Sequence, residues 1–496
     1  MDKYILAIDQ GTTSTRAIIF DQESNLIAIA QKELTMLYPH PGWVEQSANQ
    51  LWASVVSVIS EVLAKANLKA GNVAAIGITN QRETTILWEK QSGLPIDHAI
   101  VWQSKQSDHY VQKLKEQGLE GWIQKKSGLR LDPYFSASKI RFLLDKHHLQ
   151  KEAEEGKILF GTVDSFLVWK LTGGKCHISD VSNASRTMLM NLETLDYDDE
   201  LLELWQIPRA MLPKICDTSA VYGYSDPSLF GEPIAIGAVA GDQQAALFGQ
   251  TCFEKGMIKN TYGTGCFLLM NTKEQIIHSQ NGLISSVGWK IKEEVDYVLE
   301  GSVFVAGAAV QWLRDGLKII DDAAQSEVKA TSIKSSEGVY VVPAFSGLGA
   351  PYWKPQVKGA IFGMNRGTKQ AHLIRATLEA LAYQTYDVVA AMQRDSGISL
   401  ERLQVDGGAS RNRFLMQFQS DILNCVVERS FISETTALGA AYLAGLAVGY
   451  WKDKEAIRAN FKVGASYVPQ MSEEERKESL AGWEKAIRSA MYFESC

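Results

Sequence analysis

The stretch from Asp9 to Arg16, DQGTTSTR, gathers the residue types best suited to holding an anion. A tight turn rich in Gly and Thr presents several N–H groups and hydroxyls to one point, which suits a phosphate. Thr12, Thr13, Ser14 and Arg16 are its candidate phosphate-facing residues. Asp9, at the end of the preceding apolar run, could hold Mg2+ through water, because magnesium prefers oxygen ligands and keeps much of its hydration shell. Taken alone, the same residues also fit an ordinary polar hairpin, and that alternative stays open. Gly263, Thr264 and Gly265 form a second, weaker turn of the same kind. One such turn near the start of each half strengthens both.

These turns need elements to hold them. Tyr4–Ile8, Arg16–Phe20 and Leu26–Ala30 read as three short strands joined by turns, a β-meander. Ser47 with Gln50 three places on is a capping-box signal for a helix, whose Leu51, Val55, Val58, Ile59 and Val62 share one face as core. Val73–Ile78 is a further strand, running into Thr79–Glu83. In the second half, Met257–Tyr262 and Phe267–Met270 are strands on either side of the second turn. Leu403–Asp406 is a strand ending at Gly407 and Gly408, with a helix expected from about Ser410. A helix from Thr368 to about Arg394 carries Ile374, Leu378, Leu381 and Val388 on one face. The repeated strand–turn–strand pattern suggests a duplicated architecture with a cleft between halves and a boundary near Gly249.

The bulk composition agrees with a globular protein of two or three domains: 496 residues, 46% hydrophobic and 22% charged. A net charge of −7 disfavours phosphate backbones and anionic membranes as partners. The six cysteines, Cys176, Cys216, Cys252, Cys266, Cys425 and Cys496, include no CxxC pair and read as free thiols in a reducing compartment. The histidines offer no metal spacing. The first residues lack a secretory core, and the longest apolar stretch, Ala437 to Tyr450, is shorter than the ~20 residues of a membrane span. A cytoplasmic protein is expected.

No GxxxxGK[ST] loop, no GxGxxG after a strand and no protein-kinase catalytic loop occur, so a nucleotide enzyme here must use another fold. Four stretches taken together, DQGTTS at 9–14, GDQQ at 241–244, NTYGTG at 260–265 and VDGG at 405–408, resemble the FGGY carbohydrate kinases. Within that family the match narrows to members that act on glycerol, through PGWVE at 41–45, TNQRE at 79–83, IVWQ at 100–103, LDPY at 131–134 and PAFSGLGAPYW at 343–353. The resemblance runs from Tyr4 to about Trp451. It implies an α/β protein of two actin/hexokinase-like (ribonuclease H-like) domains, residues 1–248 and 249–496, with an interdomain cleft.

It also implies a site. Arg82, Glu83, Tyr134 and Gln243 would bond the glycerol hydroxyls, and Trp102 and Phe267 would cover its carbon edge. On residue types alone, Arg82–Glu83 reads as a surface ion pair and Trp102 as a core residue. Asp242 matches the family's catalytic base. A carboxylate is too weak a base to deprotonate an alcohol in advance, but it can orient the hydroxyl and accept the proton late. Thr12, Thr13, Arg16 and Thr264, with Mg2+, would face the phosphates of ATP, and Gly307, Gln311, Gly408 and Asn412 would hold the nucleotide. For Gly307 and Gln311 a helix-packing glycine beside a polar neighbour is the plainer alternative.

Two departures from the family stand out. Many relatives of Gram-positive type carry a histidine, phosphorylated by a phosphocarrier protein, in the loop before GDQQ. Here that loop, Tyr222 to Phe230, has none, so phosphocarrier-dependent activation is not expected. The glycine-rich loop by which others bind fructose 1,6-bisphosphate has no counterpart either. The family implies a homodimer or homotetramer. A kinase for xylulose or another ketose is the alternative enzyme, and TNQRE argues against it. A non-catalytic sensor or filament protein on the same fold would be expected to lose Asp9 or Asp242, and both are present.

Overall fold

The computed structural model describes residues 3–495. Met1, Asp2 and Cys496, the last read above as a free thiol, lie outside the described residues, as does the side chain of Ser495.

The expected meander forms: β1 (Tyr4–Gln10), β2 (Ser14–Phe20) and β3 (Leu26–Glu33) pair antiparallel in sequence order. Helix α1 (Ala48–Lys65) follows, with the Ser47 side chain accepting the Gln50 N–H at 3.3 Å, one half of the expected capping box. Strand β4 (Val73–Asn80) then lies parallel to β1. Strand β5 (Ser219–Tyr224) and strand β6 (Ala235–Gly241) complete a six-stranded sheet in the order β5-β6-β4-β1-β2-β3, with β6 parallel to β4. Helix α2 (Asp242–Gly249) leaves the end of β6.

The second half repeats the plan. β7 (Ile258–Tyr262), β8 (Cys266–Lys273), β9 (Ile284–Ile291) and β10 (Glu294–Val303) are followed by the short helix α3 (Gly307–Gln311) and the long helix α4 (Gln370–Ser396). β11 (Arg402–Gly407), α5 (Arg413–Leu423), β12 (Val426–Ser430), α6 (Thr435–Ala447) and β13 (Val463–Tyr467) come next. The seven-stranded sheet runs β9-β10-β8-β7-β11-β12-β13, with β11 parallel to β7 and to β12.

The unbroken apolar run of β1 has a physical cause, since both faces of its sheet are covered. Leu6 and Ile8 pack with α1 residues Val55 and Ile59, while Ile5 and Ala7 pack with Leu438 and Ala441 of α6. Helix α6 thus belongs in sequence to the second half and in packing also to the first sheet. It lies within a core shared by both halves, which includes Leu269, Trp289 and Val298 of the second sheet. A helix buried on all sides needs no polar face. The apolar stretch from Ala437 is this helix, and among the described residues no helix is long and apolar enough to cross a membrane. Helices α2 and α6 cross at backbone contact, and a Cβ on Gly439 would lie 1.8 Å from the Ala245 carbonyl oxygen.

Two local expectations need correction. The helix expected from about Ser410 starts at Arg413, because Gly408–Arg411 forms a 3-10 turn and Asn412 caps α5, accepting the Leu415 N–H at 3.0 Å. The stretch Tyr222 to Phe230 is only partly loop. Tyr222 to Tyr224 end strand β5, and Pro227–Phe230 is a helical turn capped by the Asp226 side chain. The five described cysteines are free, as expected.

Candidate active site

Three parallel strands of the first sheet end side by side. Asp9 pairs with Thr79, and Gly241 pairs with Asn80. The chain beyond these ends supplies the Gly/Thr hairpin, Arg82 with Glu83, and Asp242 at the first turn of α2. In open α/β sheets, ligands bind outside the carboxyl ends of strands.

Arg82 and Glu83 are no surface pair, being 3% and 1% exposed. They are not each other's partners either. Glu83 holds a left-handed backbone, φ 60°, unusual outside glycine and common where a site imposes a turn. The Arg82 guanidinium reaches Glu300 with Nη1 at 2.6 Å and Nη2 at 3.1 Å, and its Nε faces Asp242 Oδ1 at 3.2 Å. Glu83 Oε1 instead accepts from Nε of Arg186 at 2.6 Å. Arg186 follows the short helix Val181–Ala184, and its Nη2 also donates to Glu300, at 3.2 Å. Burial pushes the Glu83 carboxyl up, against the pull of Arg186 and Arg82. Burial would raise Glu300 too, but Arg186 and Arg82 together outweigh it and hold that carboxyl down to about 2.

Beside this network lies an aromatic wall. Trp102 meets Tyr134 edge-on, centroids 5.6 Å apart, and Phe267 at 6.5 Å. The Trp102 indole N–H donates to Thr12 Oγ1 at 3.0 Å, tying the wall to the first hairpin. Tyr134 is placed by an Asx turn, its N–H donating to Asp132 Oδ1 at 2.9 Å, and by buried Lys139, whose ammonium donates to the Tyr134 and Phe135 carbonyls. Burial pushes the Tyr134 phenol up, so it stays protonated as donor and acceptor. Gln243 accepts a hydrogen bond from Lys259 in β7, which also donates to Thr261 Oγ1 at 2.9 Å and the Phe267 carbonyl at 3.2 Å. Burial pushes the Lys259 ammonium down to about 8, against Asp406 and Asp242.

The two hairpins close alike. The Gly11 N–H donates to the Ser14 carbonyl and the Gly263 N–H to the Gly265 carbonyl, each at 2.9 Å. Thr13 and Thr264 are exposed at their tips. Among the described residues the amides of Thr12, Thr13 and Thr264 have no protein acceptor, which leaves them for an anion. Arg16 pairs with Glu434 at 2.8 Å and lies 3.8 Å from Asp9. Burial pushes the Asp9 carboxyl up to about 7, against Arg16, and nearby Asp242 and Glu434 add to the rise. Such a site is short of positive charge, which fits a divalent cation. Among the described residues no group of three or more His, Cys, Asp or Glu could hold a metal ion, and Asp9 is the candidate carboxylate for one.

The candidate nucleotide residues lie on the second half. Gly307 packs on the second hairpin, its N–H donating to the Gly263 carbonyl at 3.0 Å, and a Cβ there would come within 2.6 Å of that oxygen. Gln311 and Gly408 are exposed, and nothing would meet a Cβ on Gly408 within 4 Å. Gly407 before it, φ 86°, presses on the Tyr262 carbonyl, where a Cβ would lie at 2.3 Å. The Asn412 side chain is committed to protein, capping α5 and donating to Ser326 at 3.2 Å.

Arg186, Lys259, Glu300 and Glu434 take part in this arrangement without a sequence motif to announce them. Lys259 and Glu300 did leave a faint signal, since Lys259 is the one charged residue of IKNTY and Glu300 sits directly after the apolar run Tyr297–Leu299 of its strand. A buried charge of that kind is paired when it occurs.

The FGGY family of carbohydrate kinases, N-terminal domain, matches residues 4–249, and its C-terminal domain matches residues 258–448. A glycerol kinase of Geobacillus sp. is 56% identical over 495 residues, 99% of this chain and 100% of that protein. One of Listeria monocytogenes is 57% identical over 493 residues, 99% of each chain. The crystal structure of Plasmodium falciparum glycerol kinase with ADP superimposes with a TM-score of 0.94 at 34% identity, covering 99% of this chain and 98% of that one. A xylulose kinase of Lactobacillus acidophilus shares the fold, TM-score 0.87, at 21% identity over 99% of this chain and 98% of that one. With both halves matched and relatives so similar over nearly the whole length, the chain belongs to the FGGY family of carbohydrate kinases.

Proposed function

We propose that the protein transfers the terminal phosphoryl group of ATP to glycerol, giving ADP and sn-glycerol 3-phosphate. The observation that carries this reading is the interlocked set Arg82, Glu83, Arg186 and Asp242 beside the Trp102–Tyr134–Phe267 wall. A small polyol needs fixed donors and acceptors on one side and an apolar edge on the other. Relatives named as glycerol kinases, and the ADP in one relative's structure, point the same way.

Arg82 and Glu83 bond the glycerol hydroxyls, with Tyr134 and Gln243 as further partners. Asp242 orients the reacting hydroxyl and accepts its proton as the oxygen bonds to phosphorus and the bridging P–O bond to ADP breaks. Asp242 Oδ1 already accepts the Gln243 N–H at 2.8 Å and faces Arg82, which holds the carboxylate in one orientation. Thr12, Thr13, Ser14 and Arg16 of the first hairpin and Thr264 of the second bind the phosphates. Arg16 must exchange part of its contact with Glu434 to do so. Bound through Asp9, Mg2+ supplies charge neutralisation at the phosphates. Gly307, Gln311, Gly408 and Asn412 hold the nucleotide, Gly408 by leaving open space for a flat base and Asn412 by shaping the turn that it caps.

Residues 1–248 and 249–496 act as the two catalytic domains, and closure of the cleft between them excludes water. The enzyme works in the cytoplasm as a homodimer or homotetramer, without activation by a phosphocarrier. An ADP-release assay across glycerol, dihydroxyacetone, xylulose and erythritol tests the reading. Glycerol should give the highest kcat/KM, and a preference for xylulose would overturn the substrate assignment.

A further inference from the structure

Glu300 lies inside β10, between Leu299 and Gly301, with 0% exposure. Its strand belongs to the second sheet, yet its carboxylate receives two guanidinium groups from the first half. Arg82 meets it with both terminal nitrogens, at 2.6 and 3.1 Å, in the fork that suits a carboxylate. Arg186, also 0% exposed, adds Nη2 at 3.2 Å and keeps its Nε on Glu83. The third nitrogen of Arg82, Nε, is thereby turned to Asp242. Gln244 is the other anchor of Arg82, accepting from Nη1 at the weaker distance of 3.3 Å and donating to the Val287 carbonyl of β9.

We propose that Glu300 is a positioning residue that sets the polyol site from the opposite half of the molecule, fixing Arg82 directly and Glu83 through Arg186. The inference rests on the reading that Arg82, Glu83 and Asp242 face glycerol. Its logic is charge balance in a dry place. Arg82 and Arg186 are shared among Glu83, Glu300 and Asp242. Without the Glu300 charge, Arg82 keeps only Gln244 and Asp242, and its guanidinium turns onto Asp242. Asp242 is then occupied by an internal partner when a hydroxyl must reach it. Arg186, which also lies over the Tyr134 and Phe135 rings, is left with Glu83 as its one carboxylate partner and pulls it out of place. Neither change touches Thr12, Thr13 or Thr264 on the hairpins. The expected signature is therefore a defect toward the polyol and not toward the nucleotide.

Two variants test it in the full chain, with KM for glycerol, KM for Mg-ATP and kcat measured on each. Glu300→Gln keeps the shape and removes the charge. Glu300→Asp keeps the charge and withdraws it by one methylene, so it breaks the fork without leaving buried arginines unpaired and remains informative where the glutamine variant fails to fold. Glu300→Gln should raise KM for glycerol tenfold or more and lower kcat, with KM for Mg-ATP within twofold. Glu300→Asp should shift glycerol KM in the same direction by threefold or more. A folded variant with glycerol KM and kcat within twofold of wild type overturns the proposal, as does an equal rise in both KM values. Wild-type protein without activity on glycerol would instead overturn the polyol reading, so the two failures are distinguishable.

Discussion

Replacing Asp242 by Asn separates binding from chemistry. The substitution keeps an oxygen where Oδ1 now accepts the Gln243 N–H at 2.8 Å and faces Arg82 Nε at 3.2 Å. Local geometry should therefore survive. What disappears is the negative charge and the ability to take a proton. A hydrogen bond to a charged group is worth about 1 kcal/mol more than a neutral one, and the Asp242 side chain is 29% exposed, which screens part of that. Glycerol binding should thus weaken by about fivefold at most, since 1.4 kcal/mol is a factor of ten. Loss of a general base costs ~10²–10⁴ in rate, or about 3–5 kcal/mol of transition-state stabilisation. Calorimetric titration with glycerol beside an ADP-release assay reads both quantities on one preparation. We expect near-normal binding with kcat lowered at least a hundredfold. A kcat within a few fold of wild type would remove Asp242 from the catalytic role, and loss of binding equal to the loss of rate would make it a binding residue only.

Arg82→Ala should act on the polyol, raising KM for glycerol with some fall in kcat as orientation is lost, and unchanged glycerol KM with raised ATP KM would contradict this placement. Lys259 gives a pH signature in stability. Its folded value, about 8, lies below the ordinary 10.5, so between these pH values the unfolded chain binds more protons and stability from this group rises with pH. The wild-type minus Lys259→Met difference in unfolding free energy should therefore grow by up to about 3 kcal/mol across that window, and parallel pH profiles would refute the assignment. Incubation with a phosphocarrier protein, its enzyme and phosphoenolpyruvate should leave mass and activity unchanged, because Tyr222 to Phe230 offers no histidine. An acid-labile phosphate with a several-fold rise in activity would contradict it.

The sequence showed the elements whose signals are local. The β1–β3 meander, the α1 stripe and both Gly/Thr turns are each carried by a few adjacent residues, and each is found where periodicity and turn chemistry place it. Which charges pair was not legible. Arg82 and Glu83 are neighbours in sequence, yet each takes a partner more than a hundred residues away. Only the fold brings β10 and the segment after Val181–Ala184 to one point. The burial of Arg82 was hidden for the same reason, since a charged residue after a strand looks the same on a surface as in a site, and Trp102, which reads as core on residue type alone, is only half-buried at the wall. Helix α6 shows the limit for packing. Its apolar stretch read only as too short to span a membrane, and nothing local told that both halves of the chain bury it.

The identity and handedness of the product test the central claim most directly. Arg82 is paired with Asp242 and Glu83 is held by Arg186, so the groups proposed to face the polyol all differ, and on that proposal a prochiral substrate would bind in one sense. Glycerol, ATP and Mg2+ are incubated with the protein, and the phosphate ester is oxidised by a dehydrogenase specific for sn-glycerol 3-phosphate. The account predicts one sn-glycerol 3-phosphate for each ADP released, with no residue of the mirror-image ester. A racemic ester, or ADP released without any glycerol phosphate, would contradict it.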